Sequence, residues 1–453
     1  MKVNPSIFRA YDIRGKYPTE ITEDAAFKIG HAFVAFLRKN TRKKKFRIGI
    51  GRDTRLSSPR LFSAFSKALR GQGFEVVDLG IISTPMLYFA VFLYGFQGGA
   101  MITASHNPNP YNGIKFTREK AIPLGGDTGL QWMRKYIERQ TSFEQGKFKG
   151  KLTKKNITKE YVLWNLKQAR VKKGAFKGFS VALDAGNGVG GAVTLALLKE
   201  VGVKVYPLYL KPDGRFPNHV PDPSHKENVQ ALLKLARRKK AHFGIALDGD
   251  ADRILFADEK GTILRGDLMT AFFVSLLAKK GDRVVYDLGS SNIVRDVVRE
   301  AGARSIISSV GHTIIKEHMR KQKAVFAGEY SRHYYLGKGF FFEAPLFVLL
   351  VLLLEMKRTN LSLSVLMKPF LRYAYSGEIN VPATNKQKKL KAFTRRYRIG
   401  KQTTIDGLRV DFSDWWFLLR PSNTEPVLRL IIEATTKKLL SEKRRELIGF
   451  LKG

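Results

Sequence analysis

The strongest constraint on the fold is a strand–helix–strand pattern that occurs three times along the chain. Apolar, strand-like runs ending in small polar loops occupy residues 46–55, 179–188 and 283–292. Each is followed by a segment with apolar residues at three- and four-residue spacing, which predicts a helix. Second short strands follow at 74–80, 203–209 and 304–310. The pattern predicts three related α/β units with mainly parallel sheets.

Each unit also has a third strand-like run, at residues 98–104, 242–248 and 324–329. In open α/β sheets, ligands bind outside the carboxyl ends of the strands. The loops that follow the three runs read SHNP, DGDADR and YSRH, and all three are rich in groups that can do chemistry. We therefore expect these loops to face one common site.

The C-terminal part of the chain has a different pattern of predicted elements. Strand-like runs at 375–381, 408–412, 415–420 and 427–434 are joined by turns and precede a Lys/Glu-rich helix from about residue 436. This predicts a smaller α+β domain. We expect the four domains to span residues 1–150, 151–258, 259–370 and 371–453. In the first domain, Ser58 is expected to cap a helix that Gly71 ends.

The net charge is unusual for a chain with this pattern. The 453 residues include 80 Lys and Arg against 39 Asp and Glu, a formal charge of +41. Such an excess raises the question of nucleic-acid binding. The basic residues are spread along the whole chain, however, and no zinc-finger spacing, RNP motif or basic zipper accompanies them. We interpret the excess as solvated surface charge and expect no nucleic-acid partner.

Two further features concern the compartment. The sequence contains no cysteine, which excludes disulfides, thiolate catalysis and thiolate metal sites and is typical of a reducing compartment. The first residues lack the apolar segment of a secretory signal. The longest apolar run, Leu346–Leu354, is too short to cross a bilayer and predicts a buried helix. We expect a cytoplasmic protein without a membrane partner.

Ser105 follows the third strand of the first unit. A serine in such a loop is more often a turn or cap residue than a nucleophile. No G-x-S-x-G elbow surrounds it, and His106 is adjacent in sequence, which is poor geometry for a general base. A serine that carries a phosphoryl group needs different neighbours, namely a metal ion and positively charged side chains around the phosphate oxygens.

Three aspartates in the second unit offer the metal. Asp248, Asp250 and Asp252 alternate, so on an extended segment their carboxylates point to one side. Three close carboxylates repel one another unless a cation binds them, and all-oxygen ligation favours Mg²⁺. An EF-hand is excluded because Arg253 stands where the sixth loop residue must be glycine. The loop predicts a site for one Mg²⁺ ion.

One loop of the C-terminal domain, RPSNTEP at 420–426, is rich in polar and charged groups and predicts a phosphate-binding site. Arginine binds phosphate with two donors, and successive backbone N–H groups of a turn form an anion nest. The candidate ligands are Arg420, Ser422, Asn423, Thr424 and, on the strand that follows, Arg429.

Together these loops resemble the α-D-phosphohexomutase superfamily, most closely its phosphomannomutase/phosphoglucomutase branch. The matching motifs are RAYDIRG (9–15), TASHNP (103–108), NGIK (112–115), DGDADR (248–253), VGH (310–312), GEYSRH (328–333) and RPSNTEP (420–426). Each motif alone is weak, but their order and spacing cover the chain from end to end. The resemblance implies three α/β domains and a smaller C-terminal α+β domain around a central cleft.

The resemblance also implies a role for each matching residue. Ser105 would be a phosphoserine that shares one Mg²⁺ with Asp248, Asp250 and Asp252. The residues near the transferring phosphate would be Tyr11, Arg14, Lys115 and Arg253. Sugar hydroxyls would be bound by Glu329 and Ser331, in a pocket also lined by His312 and His333. The RPSNTEP residues and Arg429 would anchor the phosphate that does not react. Lys115 and His333 are both candidates for the general base.

The implied activity is the Mg²⁺-dependent interconversion of the 1- and 6-phosphates of mannose or glucose. It would proceed through a phosphoserine and a hexose 1,6-bisphosphate, which is both intermediate and activator. The expected partners are sugar phosphates, and the expected state is a monomer or dimer. Two alternatives are a phosphoglucosamine mutase and a non-catalytic sugar-phosphate-binding relative.

Three departures from the family pattern concern sugar recognition. Arg332 replaces the usual glycine of the sugar-binding loop, and we expect it to take part in substrate binding. The lysine usually found after the first strand of the third unit is absent from the loop at 287–290. The usual DDG sequence is replaced at 342–345 by Phe-Glu-Ala-Pro. Ser105 and the aspartates are unaffected by these changes.

Overall fold

The computed structural model describes residues 3–41, 45–144, 146, 150–422 and 426–452. By the density of their contacts they form two units, one from residues 1–264 and 331–365 and the other from residues 265–330 and 366–453.

The N-terminal part of the first unit is built on a sheet to which the described residues contribute seven strands. They are β1 (Ile13–Lys16), β2 (Arg47–Arg52), β3 (Glu75–Ile81), β4 (Gly98–Ile102), β5 (Tyr111–Arg118), β6 (Pro123–Leu124) and β7 (Leu152–Lys154). The helices are α1 (Glu23–Asn40), α2 (Ser58–Gly71), α3 (Thr84–Leu93) and α4 (Gln131–Arg139). The order is β1-β5-β4-β2-β3-β7, with β6 beside β5. As predicted, β2 lies parallel to both β3 and β4.

The start of α2 differs from the prediction by one residue. Its N-cap is Ser57, whose side chain makes no capping hydrogen bond, so the expected cap at Ser58 is wrong. The Ser58 hydroxyl instead donates to Asp53 Oδ1 at 2.7 Å. A buried carboxylate competes here with the helix end for the serine hydroxyl, which sequence spacing does not show. Gly71 is the last residue of the helix, as expected.

The second sheet of this unit carries the acidic loop. Its elements are α5 (Thr158–Ala169), β8 (Ser180–Asp184), α6 (Gly190–Glu200), β9 (Lys204–Leu208), α7 (Gln230–Arg238), β10 (Phe243–Leu247) and β11 (Ile254–Ala257). The strand order is β11-β10-β8-β9. Parallel pairing of β8 with β9 and β10 repeats the arrangement of the first sheet, and β11 turns back antiparallel to β10.

Residues 265–330, in the second unit, repeat the same order. Their elements are α8 (Gly266–Leu277), β12 (Arg283–Asp287), α9 (Asn292–Glu300), β13 (Arg304–Ser308), α10 (His312–Gln322) and β14 (Phe326–Gly328). Strand β12 lies parallel to both β13 and β14. The threefold repetition predicted from the sequence is therefore confirmed.

The chain then returns to the first unit. A short antiparallel pair, β15 (Tyr334–Leu336) and β16 (Phe342–Glu343), precedes α11 (Pro345–Thr359) and α12 (Leu363–Met367). The apolar run predicted as a buried helix lies within α11, and nearly all of its side chains are buried. Within the described ranges, no helix has the length and apolarity needed to cross a membrane.

The C-terminal part of the second unit is antiparallel throughout. It contains β17 (Ala374–Pro382), α13 (Lys386–Arg396), β18 (Lys401–Thr403), β19 (Leu408–Asp411), β20 (Trp415–Pro421), β21 (Val427–Ala434) and α14 (Lys437–Lys452). The sheet order is β17-β21-β20-β19-β18. The predicted fold class, three α/β domains and a C-terminal α+β domain, is confirmed. Helix α13 was not predicted, because its lysine-rich sequence buries only one side chain, Phe393.

Candidate active site

Ser105 lies in the turn that follows β4, and its side chain is buried. Its hydroxyl donates to Asp248 Oδ2 at 2.7 Å, and its backbone N–H donates to Thr103 Oγ1 at 2.9 Å. The backbone φ is +50°, in the left-handed region that residues other than glycine rarely adopt. The loop thus holds the serine in an uncommon conformation that points its hydroxyl at the acidic cluster.

Asp248, Asp250 and Asp252 are brought together, but by a turn rather than by the extended segment that the sequence suggested. The Ala251 N–H bonds the Asp248 carbonyl at 3.0 Å, and Ala251 has a φ of +52°. One carboxylate oxygen from each aspartate lies within 4.8 Å of the others, and all three side chains are buried.

Two cations face this cluster. Lys115, on β5, places Nζ 2.7 Å from both Asp250 Oδ2 and Asp252 Oδ2. Burial alone would lower the pKa of Lys115, but the charges of Asp250 and Asp252 outweigh it and raise that pKa well above its ordinary value. Arg253 Nε lies 3.7 Å from Asp248 Oδ2. The lysine therefore stays protonated between the two carboxylates.

The cluster fits a divalent cation. Burial, followed by the charges of Asp252 and Asp250, raises the pKa of Asp248 well above its ordinary value, so the repulsion is only partly offset by the cations. Asp250 Oδ2 is held by Lys115 and by the Thr84 hydroxyl, while Asp250 Oδ1 is buried without a hydrogen-bond partner. Carboxylate oxygens are the ligands that Mg²⁺ prefers.

Arg14 approaches the serine loop from β1, the neighbour of β5. Its guanidinium donates to Asn107 Oδ1, two residues after Ser105, and to Asp12 Oδ2. Tyr11 lies just before β1 and is half-buried. Arg14 therefore lies on the strand next to the one that carries Lys115, and Tyr11 lies just before β1.

His106 has a closer relation to the serine than the sequence suggested. Its Nδ1 lies 3.2 Å from Ser105 Oγ, because the left-handed turn at Ser105 brings adjacent side chains together. The same Nδ1 accepts a hydrogen bond from Arg253 Nη2. Burial, and then the charges of Arg253 and Arg14, lower the pKa of His106 well below its ordinary value. The imidazole is therefore neutral and serves as an acceptor.

His333 also reaches the acidic cluster. Its Nε2 lies 3.2 Å from Asp252 Oδ1, and its Nδ1 lies 2.8 Å from Ser331 Oγ. Arg332, between them, has a φ of +74°, and its carbonyl accepts the Ile254 N–H at 3.3 Å. The arginine that replaces the family's glycine thus occupies a glycine-like backbone conformation.

The other predicted sugar-binding residues belong to the second unit. Glu329, which follows β14, is buried and accepts the Gly311 N–H at 3.1 Å. His312 is the first residue of α10. Asp287, in the loop without the family's lysine, accepts the Tyr330 N–H at 2.6 Å. Burial and then the charge of Glu329 raise the pKa of Asp287 to about 7.

Two of the predicted phosphate-binding residues, Arg420 and Arg429, lie on paired strands of the second unit. Arg420 on β20 is directly opposite Arg429 on β21. Arg420 Nη2 lies 2.8 Å from Asp406 Oδ2, and the buried Ser422 donates its N–H to the Val427 carbonyl at 3.0 Å. Asn423 and Thr424 lie outside the described residues. Lys386 Nζ donates to the Ser422 carbonyl at 2.6 Å, a contact the sequence did not indicate.

Two residues of the first unit that contact the site were not predicted from the sequence. The Thr84 hydroxyl and N–H both bind Asp250, and Arg55 contacts the serine loop. Arg55 ends the sequence GRDTR after β2, at the same sheet edge as Ser105, so the rule used for the third strands could have found it. Thr84 follows β3, the second strand of the first repeat, so the same rule extended to the second strands could have found it as well.

Comparison with known protein families identifies the family to which the chain belongs. The models of phosphoglucomutase/phosphomannomutase alpha/beta/alpha domains I, II and III match residues 5–144, 159–261 and 265–373, and the C-terminal domain model matches residues 378–449. The fold and these matches define a phosphoryl-transferring mutase. The chain belongs to the phosphoglucomutase/phosphomannomutase family.

Relatives with assigned names are similar along their full length. A phosphomannomutase of Methanocaldococcus jannaschii is 35% identical over 97% of this chain and 96% of its own. A phosphoglucomutase of Neisseria gonorrhoeae is 35% identical over 96% of this chain and 94% of its own. The crystal structure of a phosphoglucomutase/phosphomannomutase family protein from Burkholderia thailandensis is 31% identical, with a TM-score of 0.88 over 99% of this chain and 98% of its own.

Proposed function

We propose that this mutase is a Mg²⁺-dependent phosphohexomutase that interconverts the 1- and 6-phosphates of mannose, glucose or both. The observation that carries the proposal is the hydrogen bond from Ser105 Oγ to Asp248 within a buried cluster of three aspartates and two cations. A hydroxyl in this setting is suited to carrying a phosphoryl group. The names of the relatives support both sugars and do not favour one.

The proposed reaction has two transfers. In the first, the bond between phosphorus and Ser105 Oγ breaks, and a new bond forms between phosphorus and the free hydroxyl of the sugar phosphate. The hydroxyl proton passes to a base. Of the two candidates, His333 fits this role better, because Asp250 and Asp252 raise the pKa of Lys115 well above its ordinary value and keep it protonated. The resulting bisphosphate turns end for end. In the second transfer, its other phosphoryl group passes back to Ser105.

Positive charge near Ser105 stabilises the transferred group. Arg253 lies beside Asp248 and His106, and Arg14 is held against the serine loop through Asn107. Since phosphoryl transfer depends mainly on positioning and electrostatics, these side chains are the proposed source of transition-state stabilisation. Asp248, Asp250 and Asp252 would hold one Mg²⁺, which would add positive charge at the phosphate oxygens when bound.

The proposed substrate-binding residues complete the assignment. Glu329, Ser331, Arg332 and His312 would bind the sugar, and Arg420, Ser422, Asn423, Thr424 and Arg429 would bind the phosphate that does not react. We also propose that the four domains span residues 1–150, 151–258, 259–370 and 371–453, and that the protein is cytoplasmic, since a chain without cysteine is typical of a reducing compartment.

The proposal is tested by turnover of mannose 1-phosphate and glucose 1-phosphate with Mg²⁺ and a trace of the matching 1,6-bisphosphate. Wild-type protein should convert at least one of them, and Ser105→Ala should convert neither while still binding both. A matched control is Ser66→Ala, which removes a buried hydroxyl in α2, away from the cluster. Near wild-type turnover by Ser105→Ala contradicts the proposal.

A further inference from the structure

Arg55 is an arginine buried beneath the serine loop, with 2% of its surface exposed. It follows β2, and its guanidinium donates hydrogen bonds to four backbone carbonyls of the loop. The acceptors and distances are Ser105 O at 2.8 Å, Asn107 O at 2.6 Å, Pro108 O at 3.3 Å and Tyr111 O at 2.9 Å. One side chain thus spans the loop from the serine to the start of β5.

The guanidinium is itself fixed in place. Asp53 Oδ2 accepts from Arg55 Nε at 2.9 Å, while Asp53 Oδ1 accepts the Arg55 N–H at 3.0 Å and the Ser58 hydroxyl at 2.7 Å. The ring of Phe216 lies 5.0 Å from the guanidinium carbon. A buried arginine with one carboxylate partner is costly unless its remaining donors are satisfied. Here the loop carbonyls satisfy them, so arginine and loop depend on each other.

The loop needs such support because its conformation is uncommon and closely bounded. Ser105 has a φ of +50°, which costs about 1–3 kcal/mol in a residue other than glycine unless surrounding contacts enforce it. A Cβ added to Gly249 would lie 2.4 Å from the Ser105 carbonyl oxygen. That same oxygen is the one Arg55 binds at 2.8 Å. The serine carbonyl is therefore in close contact with both the Arg55 guanidinium and the backbone at Gly249.

We infer that Arg55 is a positioning residue for phosphoryl transfer at Ser105: it holds the loop carbonyls so that the serine oxygen stays directed at the acidic cluster. The inference rests on the proposed function, since it assumes that Ser105 carries the phosphoryl group. Lysine cannot replace Arg55, because one ammonium group cannot span four carbonyls in the plane of a guanidinium. Arg55 contacts the loop backbone and is not itself expected to touch the substrate.

The inference predicts a split between turnover and binding. A displacement of about 1 Å at a reacting atom can lower a rate by about 100-fold. For Arg55→Lys we therefore expect kcat to fall by roughly 100-fold while KM for the sugar phosphate changes by less than about threefold. The proposed phosphate anchors, Arg420 and Arg429, belong to the second unit and are unchanged in this variant.

Arg52→Met is the matched control. Arg52 lies on β2, pairs with Asp78 at 2.7 Å and covers the ring of Phe62 at 4.5 Å, so its loss removes the same kinds of contact without touching the serine loop. Both variants are compared with wild type by near-UV circular dichroism, and rates are expressed per folded molecule. A third variant, Arg55→Ala, is assayed with added guanidinium, which should restore part of the lost kcat because it can occupy the emptied site.

The measured step is single-turnover phosphorylation of Ser105 by a hexose 1,6-bisphosphate, followed by mass spectrometry. Wild-type protein that gains phosphate, with Arg55→Lys slowed roughly 100-fold and Arg52→Met unchanged, supports the inference. Wild-type protein that gains phosphate with Arg55→Lys equally fast overturns the inference and leaves the proposed function standing. A wild-type protein that gains no phosphate overturns the proposed function and the inference with it.

Discussion

Ser105 Oγ lies 2.7 Å from Asp248 Oδ2, although 143 positions separate the two residues in the chain. Ser105 follows β4 of one mixed sheet, and Asp248 follows β10 of the next. Two repeats of the same strand–helix–strand pattern thus bring their carboxyl ends to one place. A phosphoryl group on Ser105 would add negative charge beside three carboxylates, and this is the physical reason for expecting a cation there.

Asp250→Asn removes one negative charge from the cluster and should weaken Mg²⁺ binding at least tenfold, together with phosphoryl transfer. Isothermal titration with Mg²⁺ measures the first effect without reference to activity. Asp78→Asn is the control. Like Asp250, Asp78 is buried and paired with a basic side chain, here Arg52, but it lies on β3. Unchanged Mg²⁺ affinity in Asp250→Asn, or full activity in a strong chelator, would show that the acidic loop is only a turn.

Thr84→Val tests how Asp250 is oriented. The Thr84 hydroxyl donates to Asp250 Oδ2, which leaves Oδ1 without a hydrogen-bond partner. Loss of a group that orients a ligand typically lowers metal affinity 10–100-fold, and we expect a reduction of about tenfold here. Thr117→Val is the control, since its buried hydroxyl donates to the Ile122 carbonyl. Equal affinities in the two variants would exclude an orienting role for Thr84.

Arg332→Gly should change both stability and sugar preference. With φ at +74°, Arg332 is strained, and glycine should raise the free energy of unfolding by about 1 kcal/mol. Loss of one hydrogen bond to a charged group, worth about 1.5–3 kcal/mol, should shift the ratio of kcat/KM for glucose and mannose phosphates about tenfold.

Arg332→Ala separates these two effects, because alanine removes the charge and keeps the strained Cβ. We expect it to shift the kcat/KM ratio without the gain in stability. If all three proteins share one ratio, Arg332 contributes only surface charge.

Asp287 should make stability depend on pH. Its folded pKa of about 7 lies above the ordinary value of 3.8, so the folded state retains a proton that the unfolded state releases. The stabilisation from that proton is complete below the ordinary pKa and is lost as pH rises through about 7. Asp287→Asn is always neutral, so its stability relative to wild type should rise by roughly 4 kcal/mol between pH 4 and 7.5.

Urea unfolding at several pH values measures that difference, with exposed Asp414 replaced by Asn as the control. Asparagine offers one acceptor fewer to the Tyr330 N–H, which lowers stability equally at every pH, so the slope is the informative quantity. A difference between Asp287→Asn and wild type that stays constant with pH would show that Asp287 is ionised in the folded state.

Much of the architecture was predictable because local patterning and topology agree. The three strand–helix–strand repeats, the buried α11 and four strands of the C-terminal sheet follow directly from apolar periodicity. The grouping of the Ser105 loop with the aspartates also follows, since both come after parallel strands. Helix α13 was not predicted, because a lysine-rich helix that buries only Phe393 leaves little apolar periodicity in the sequence.

The finer geometry was not predictable, because it depends on backbone conformations that sequence periodicity does not encode. The aspartates meet through the left-handed turn at Ala251, and His106 reaches Ser105 through the left-handed turn at Ser105 itself. Arg55 and Thr84 follow strands of the first repeat, so their place at the sheet edge could be predicted, but their partners lie far along the chain. Which carbonyl or carboxylate each of them binds is visible only once the sheets are placed.

The central claim is that Ser105 carries the phosphoryl group, and the most direct test is the mass of the protein after incubation with glucose or mannose 1,6-bisphosphate and Mg²⁺. We predict that the wild-type protein gains the mass of one phosphoryl group, located on the peptide that contains Ser105, and that Ser105→Ala gains none. No gain in the wild-type protein, or an equal gain in Ser105→Ala, would contradict the account.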